Sequence, residues 1–97
     1  MSQPETAFKQ RVLKDLSKLE TCWVLKTQER ARRGIPDLLI CLRGKFVAVE
    51  LKVDGEVPTP LQDEILERIQ GASGTAFYTT PSLWPQHFSM LRELAQA

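Results

Sequence analysis

Residues 34–52 read GIPDLLICLRGKFVAVELK. Two apolar runs, DLLICL (37–42) and FVAVELK (46–52), flank Arg43-Gly44-Lys45, whose glycine supplies the permissive backbone of a tight hairpin. If Arg43 and Gly44 form a two-residue loop, Leu42 pairs with Lys45, and counting back sets Asp37 opposite Glu50. A three-residue loop sets Asp37 opposite Leu51 instead, still beside Glu50. Directly opposed residues hold their Cβ atoms roughly 4.5–5.5 Å apart, where like charges repel. The sequence thus places an acid pair in the middle of a sheet, and a divalent cation between the two would turn that repulsion into a binding site.

Alternation along the second strand puts Phe46, Ala48, Glu50 and Lys52 on one face, and Val47, Val49 and Leu51 on the other. Glu50 and Lys52 then project together near Asp37. Two carboxylates suit Mg²⁺, which takes few protein oxygens, and the Leu51 carbonyl is a candidate third ligand. Lys52 is a cation placed to stabilise phosphate charge or hold a water. Taken singly, Asp37 reads equally as a polar residue after Pro36, and Glu50 and Lys52 as an exposed strand-end pair. Jointly that reading weakens, because both runs are nearly continuous apolar stretches, as in a sheet covered on both faces.

Around this hairpin the chain divides into short elements. Phe8, Val12, Leu13, Leu16 and Leu19 recur at helical spacing, predicting a helix from about Gln3 to Leu19, with Ser2 and Glu5 as a capping box. Cys22–Lys26 reads as a strand, residues 53–59 as a loop, and Thr59, Pro60 and Gln62 as the start of a helix ending at Gly71. Thr75–Thr79 is a further strand. A last helix begins near Ser82 or Trp84 and carries Phe88, Leu91 and Leu94. The order αβββαβα predicts an α/β fold with a single mixed sheet flanked by helices.

With 97 residues the chain suffices for one domain, residues 1–97, and not for two. No apolar run approaches the roughly 18 residues of a membrane span, and the N-terminus lacks a signal peptide's apolar stretch. Both points favour a cytoplasmic protein. The net charge of +1 gives no global basic signature, but Lys26 to Arg33 reads KTQERARR. Such a segment is either a solvated loop or a surface for a phosphate backbone. Cys22 and Cys41 read as buried free thiols, and His87, the only histidine, leaves no histidine-rich metal site.

Helical geometry adds two candidates. Glu5 falls within the arc of Phe8, Val12, Leu16 and Leu19, facing the protein, and Lys9 shares that arc. Gln62 lies amid Leu61, Ile65, Leu66 and Ile69. Each is also a cap partner, Glu5 for Ser2 and Gln62 for Thr59, and the pattern does not separate the two roles.

Gly34-Ile35-Pro36-Asp37 followed by Glu50-Leu51-Lys52 resembles the PD-(D/E)xK nuclease signature. With Glu5 upstream and Gln62 downstream, the whole is similar to VRR-NUC domains and archaeal Holliday junction resolvases, most closely the stand-alone phage or bacterial VRR-NUC type. The resemblance spans Glu5 to about Thr79 and leaves out the last helix. It implies a restriction-endonuclease-like core and a Mg²⁺- or Mn²⁺-dependent endonuclease acting on DNA, without a small-molecule substrate. Asp37, Glu50 and the Leu51 carbonyl become metal ligands and Lys52 the catalytic lysine. Glu5 would assist at the metal or through a water, and Gln62 would orient Lys52 or the nucleophilic water. The family further implies a homodimer on branched DNA such as Holliday junctions, in repair or recombination. Arg30, Arg32 and Arg33 then precede the metal-binding aspartate where the DNA backbone must pass, with Lys26, Arg43 and Lys45 adding to the surface or serving as plain tip charges. Trp84 and Phe88 are candidates for the dimer surface as well as for ordinary core. Two rivals stand beside this: a DNA-binding module of the same fold, acting on flaps or duplex ends or lacking physiological nuclease activity, and a small interaction protein with a chance motif.

Overall fold

The computed structural model describes residues 4–27 and 33–97. The elements run α1 (Pro4–Leu16), β1 (Cys22–Lys26), β2 (Leu38–Leu42), β3 (Lys45–Leu51), α2 (Pro60–Gly71), β4 (Thr75–Thr79) and α3 (Trp84–Leu94). They build the expected single mixed sheet flanked by helices, in the order β1-β2-β3-β4. The first three strands are antiparallel neighbours, while β4 returns through α2 to lie parallel to β3.

The β2–β3 turn settles the register. Arg43 (φ 50°) and Gly44 (φ 80°) both adopt left-handed backbone, the pairing that suits a two-residue hairpin loop. Leu42 therefore pairs with Lys45 and Leu38 with Val49, and one step further sets Asp37 opposite Glu50.

One face of the sheet presents Leu38, Ile40, Leu42, Val47 and Val49 to Phe8, Val12 and Leu16 of α1 and to Trp84 and Leu91 of α3. Trp84, 1% exposed, is core rather than free surface, and its indole N–H donates to Asp15 of α1 at 2.8 Å. On the other face a smaller cluster joins Ala48 and Ala76 to Leu66 of α2. That helix packs mainly on β4 and β3, with Leu39 of β2 at the margin of the cluster. Both faces are thus covered at the centre of the sheet, but toward β1 the α2 side lies open, with Trp23 63%, Leu25 45% and Phe46 48% exposed.

Three expectations are corrected. Helix α1 stops at Leu16 rather than Leu19, because the Ser17 hydroxyl donates back to the Lys14 carbonyl and i,i+3 bonds tighten the chain. Leu19 still packs on the core from the following turn. The cysteines are free but not buried: Cys22 is half-buried, and Cys41 lies exposed on the open part of the sheet. Glu5 is exposed, since the arc that carries Phe8 into the core reaches an open cleft at the first turn. Ser2, its expected cap partner, lies outside the described residues.

Candidate active site

At the end of the β2–β3 ladder two backbone bonds lock the acids together. The Asp37 N–H donates to Glu50 Oε1 at 3.2 Å, and the Leu51 N–H donates to Asp37 Oδ2 at 2.8 Å. A residue's N–H and C=O point to the same side of an extended strand, so the Leu51 carbonyl also faces Asp37. The approach to Asp37 is built by its neighbours. Pro36 is fully buried, and the Thr27 hydroxyl bonds the Pro36 and Asp37 carbonyls at 2.7 and 3.1 Å. Gly34 (φ 80°) lies so close to α2 that a Cβ there would sit 2.7 Å from Leu61 Cγ and 2.8 Å from Ile65 Cδ1.

Glu50 is only 3% exposed. Lys52 pairs with it, with Nζ 3.7 Å from Oε2. Burial, then the charge of Asp37, then a hydrogen bond between the two carboxyl groups push the Glu50 carboxyl up to about 8. Lys52 and the Asp37 N–H offset only part of that rise. Without a further positive charge, the Glu50 carboxyl keeps its proton through neutral pH.

These groups line a cleft of about 560 Å³, together with Glu5, Lys9, Arg33, Leu51, Glu56 and Gln62. The sequence-derived residues Glu5, Asp37, Glu50, Leu51, Lys52 and Gln62 therefore do converge on one place. Gln62 shows both features read from the sequence: it lines the cleft, and it forms the capping box with Thr59, accepting from the Thr59 N–H at 2.9 Å while its own N–H donates to the Thr59 hydroxyl at 3.2 Å. Glu56 escaped the sequence reading, having no periodic pattern to mark it; it is held there by accepting from the Val53 N–H.

The basic candidates scatter more. Arg33 borders the cleft, while Arg30 and Arg32 lie outside the described residues. Lys26 ends β1, and strand alternation sends its side chain to the α1 and α3 side of the sheet. Arg43 and Lys45 sit at the other end of the hairpin, about 17 Å from Glu50 at the usual rise per residue. Lys45 is engaged there, donating to the Leu94 and Ala97 carbonyls at the end of α3.

Among the described residues no three His, Cys, Asp or Glu side chains gather as a ready-made metal cage. The donor set fits an ion that needs less. Two carboxylates from adjacent strands, one buried and repelled by the other, beside a backbone carbonyl and an open cleft, match a hard cation that completes its shell with waters or phosphate oxygens.

The chain is similar to a solved structure described as a VRR_NUC domain, at 25% identity and a TM-score of 0.74 over 98% of this chain and 97% of that one. No protein-family model and no curated protein matches it. The fold is that of a VRR-NUC nuclease domain.

Proposed function

We propose that the protein is a Mg²⁺- or Mn²⁺-dependent endodeoxyribonuclease that hydrolyses phosphodiester bonds in branched DNA as a homodimer. The observation that carries this reading is the Asp37–Glu50 pair, held by reciprocal backbone bonds at the mouth of a polar cleft with Lys52 beside it. The similarity to a VRR_NUC domain supports it. Asp37, Glu50 and the Leu51 carbonyl would hold the cation, which when bound would supply Lewis-acid chemistry at the phosphate.

The remaining work falls to the chain. Glu50, whose carboxyl is pushed up to about 8, would give up its proton when the site is loaded. Lys52, largely buried, positions its ammonium to hold the attacking water or to neutralise charge growing on the phosphate oxygens. Gln62, fixed by its cap bonds, orients water at the cleft wall, and Glu5 reaches the same space from α1. Arg33, with Arg30 and Arg32 before it, guides the DNA backbone across the opening. Such work on DNA belongs to repair or recombination in the cytoplasm of a bacterial or phage-infected cell. Among the described residues, no helix is long and apolar enough to cross a membrane.

The test is a panel of labelled four-way junction, flap and linear duplex DNA incubated with Mg²⁺, Mn²⁺ or chelator. Metal-dependent incision, fastest on the junction, is expected. Equal rates on junction and linear duplex would remove the structure selectivity, and absence of incision on every substrate would remove the nuclease reading.

A further inference from the structure

The open side of the sheet ends at β1. The Arg43 N–H donates to the Thr21 carbonyl and the Thr27 N–H donates to the Asp37 carbonyl, so the odd-numbered residues of this stretch turn their backbone toward β2. The N–H and C=O groups of Cys22, Val24 and Lys26 consequently point outward from the edge. Among the described residues no strand pairs with this edge, and such an edge is a template for another strand. Beside it, Trp23, Leu25 and Phe46 are exposed on the part of the α2 side of the sheet that the helix leaves open. Isolated exposed apolar residues are ordinary; three on one sheet face next to an open edge mark an interaction surface.

We propose that this edge docks a second copy of the chain, β1 against β1, antiparallel about a two-fold axis at Val24. The fit is self-complementary, as a two-fold interface requires. Val24 pairs with itself, Cys22 with Lys26, and Trp23 with Leu25 of the other copy, so the exposed aromatic meets the exposed aliphatic twice. The lysines fall at opposite ends of the junction rather than facing each other. Each Lys26 comes diagonally near Glu20 of the other copy, an exposed residue just before the strand. The four-stranded sheets join into eight strands, and the two open faces merge into one trough.

The axis is perpendicular to the sheet, so both Asp37–Glu50 pairs open on the same side. Strand spacing and rise place them roughly 28 Å apart, related by the two-fold. That arrangement presents two equivalent sites to a substrate with two equivalent strands. The inference deepens the homodimer part of the proposed function by naming its surface, and it does not depend on the nuclease chemistry.

Light scattering on the eluting protein tests it. The wild type should run at twice its 11.0 kDa chain mass. Trp23→Lys/Leu25→Lys sets lysine opposite lysine and should give a monomer with unchanged circular dichroism, since both side chains are exposed. Trp23→Lys/Leu25→Glu sets opposite charges together and should restore the dimer. A monomeric wild type overturns both the surface and the homodimer. A dimer unaffected by the double lysine change, or two monomeric variants, overturns this pairing and leaves nuclease activity on linear DNA to be judged separately.

Discussion

Replacing Glu50 with glutamine keeps the side chain's shape and the acceptor for the Asp37 N–H, and removes only its charge. In an unfolded chain Glu50 titrates near 4.5; in the fold its carboxyl is pushed up to about 8 by burial and by Asp37. Between those values the folded state keeps a proton that the unfolded state has lost. Stability therefore falls as pH rises through that window, by about 1.4 kcal/mol per unit. The loss is about 3 kcal/mol by pH 7 and levels off near 5 kcal/mol above pH 8. For a domain whose whole stability is of the order of 5–15 kcal/mol, this is a large fraction. The Glu50→Gln protein lacks the slope, so with chelator present it should match the wild type at pH 4.5 and exceed it by about 5 kcal/mol at pH 9. Urea denaturation at several pH values measures the difference. Added Mg²⁺ should stabilise the wild type at pH 8 and leave the variant unmoved, because the ligand must be ionised to bind. Parallel pH profiles for the two proteins would refute the reasoning.

Asp37→Asn preserves an acceptor for the Leu51 N–H and relieves the repulsion on Glu50, so the fold should hold while cleavage falls more than about a hundredfold; a variant that cuts at the wild-type rate removes the metal site. Lys52→Ala should lower turnover by about 10²–10³ while the half-saturating Mg²⁺ concentration moves less than about tenfold, as expected of a group acting on the reacting phosphate or water. If the metal requirement shifts as far as turnover, Lys52 serves the ligands instead. Gly34→Ala, with φ 80° and a Cβ pressed against Leu61 and Ile65, should cost about 1–3 kcal/mol in urea denaturation, and an unchanged midpoint would contradict that packing.

The heart of the site was legible because either loop length the turn allows sets Asp37 opposite or beside Glu50, and the structure selects the two-residue loop. Short-range rules of this kind act within a dozen residues and survive folding unchanged. What depends on the placement of whole elements was not legible. Cys41 sits in an apolar run and looks buried, yet α2 crosses β3 and β4 rather than β2, and nothing in the strand pattern encodes that choice. Trp84 looked equally suited to a surface until the Asp15 carboxylate gave its indole N–H a partner inside the fold. Lys45 is basic like the cleft residues, but the hairpin carries it to the far end, where it closes the carbonyls of α3. Thr27 and Glu56 are positioned by hydrogen bonds across loops, and loops carry no period from which to read them.

Calorimetric titration of Mn²⁺ at pH 8 into the wild type and into the Asp37→Asn/Glu50→Gln double variant tests the core proposition most directly. Saturable uptake by the wild type, with release of protons to the buffer, and none by the variant is the predicted result. A wild type that takes up no ion, or a double variant that binds as tightly, would contradict the assignment of these two carboxylates as the centre of the chemistry.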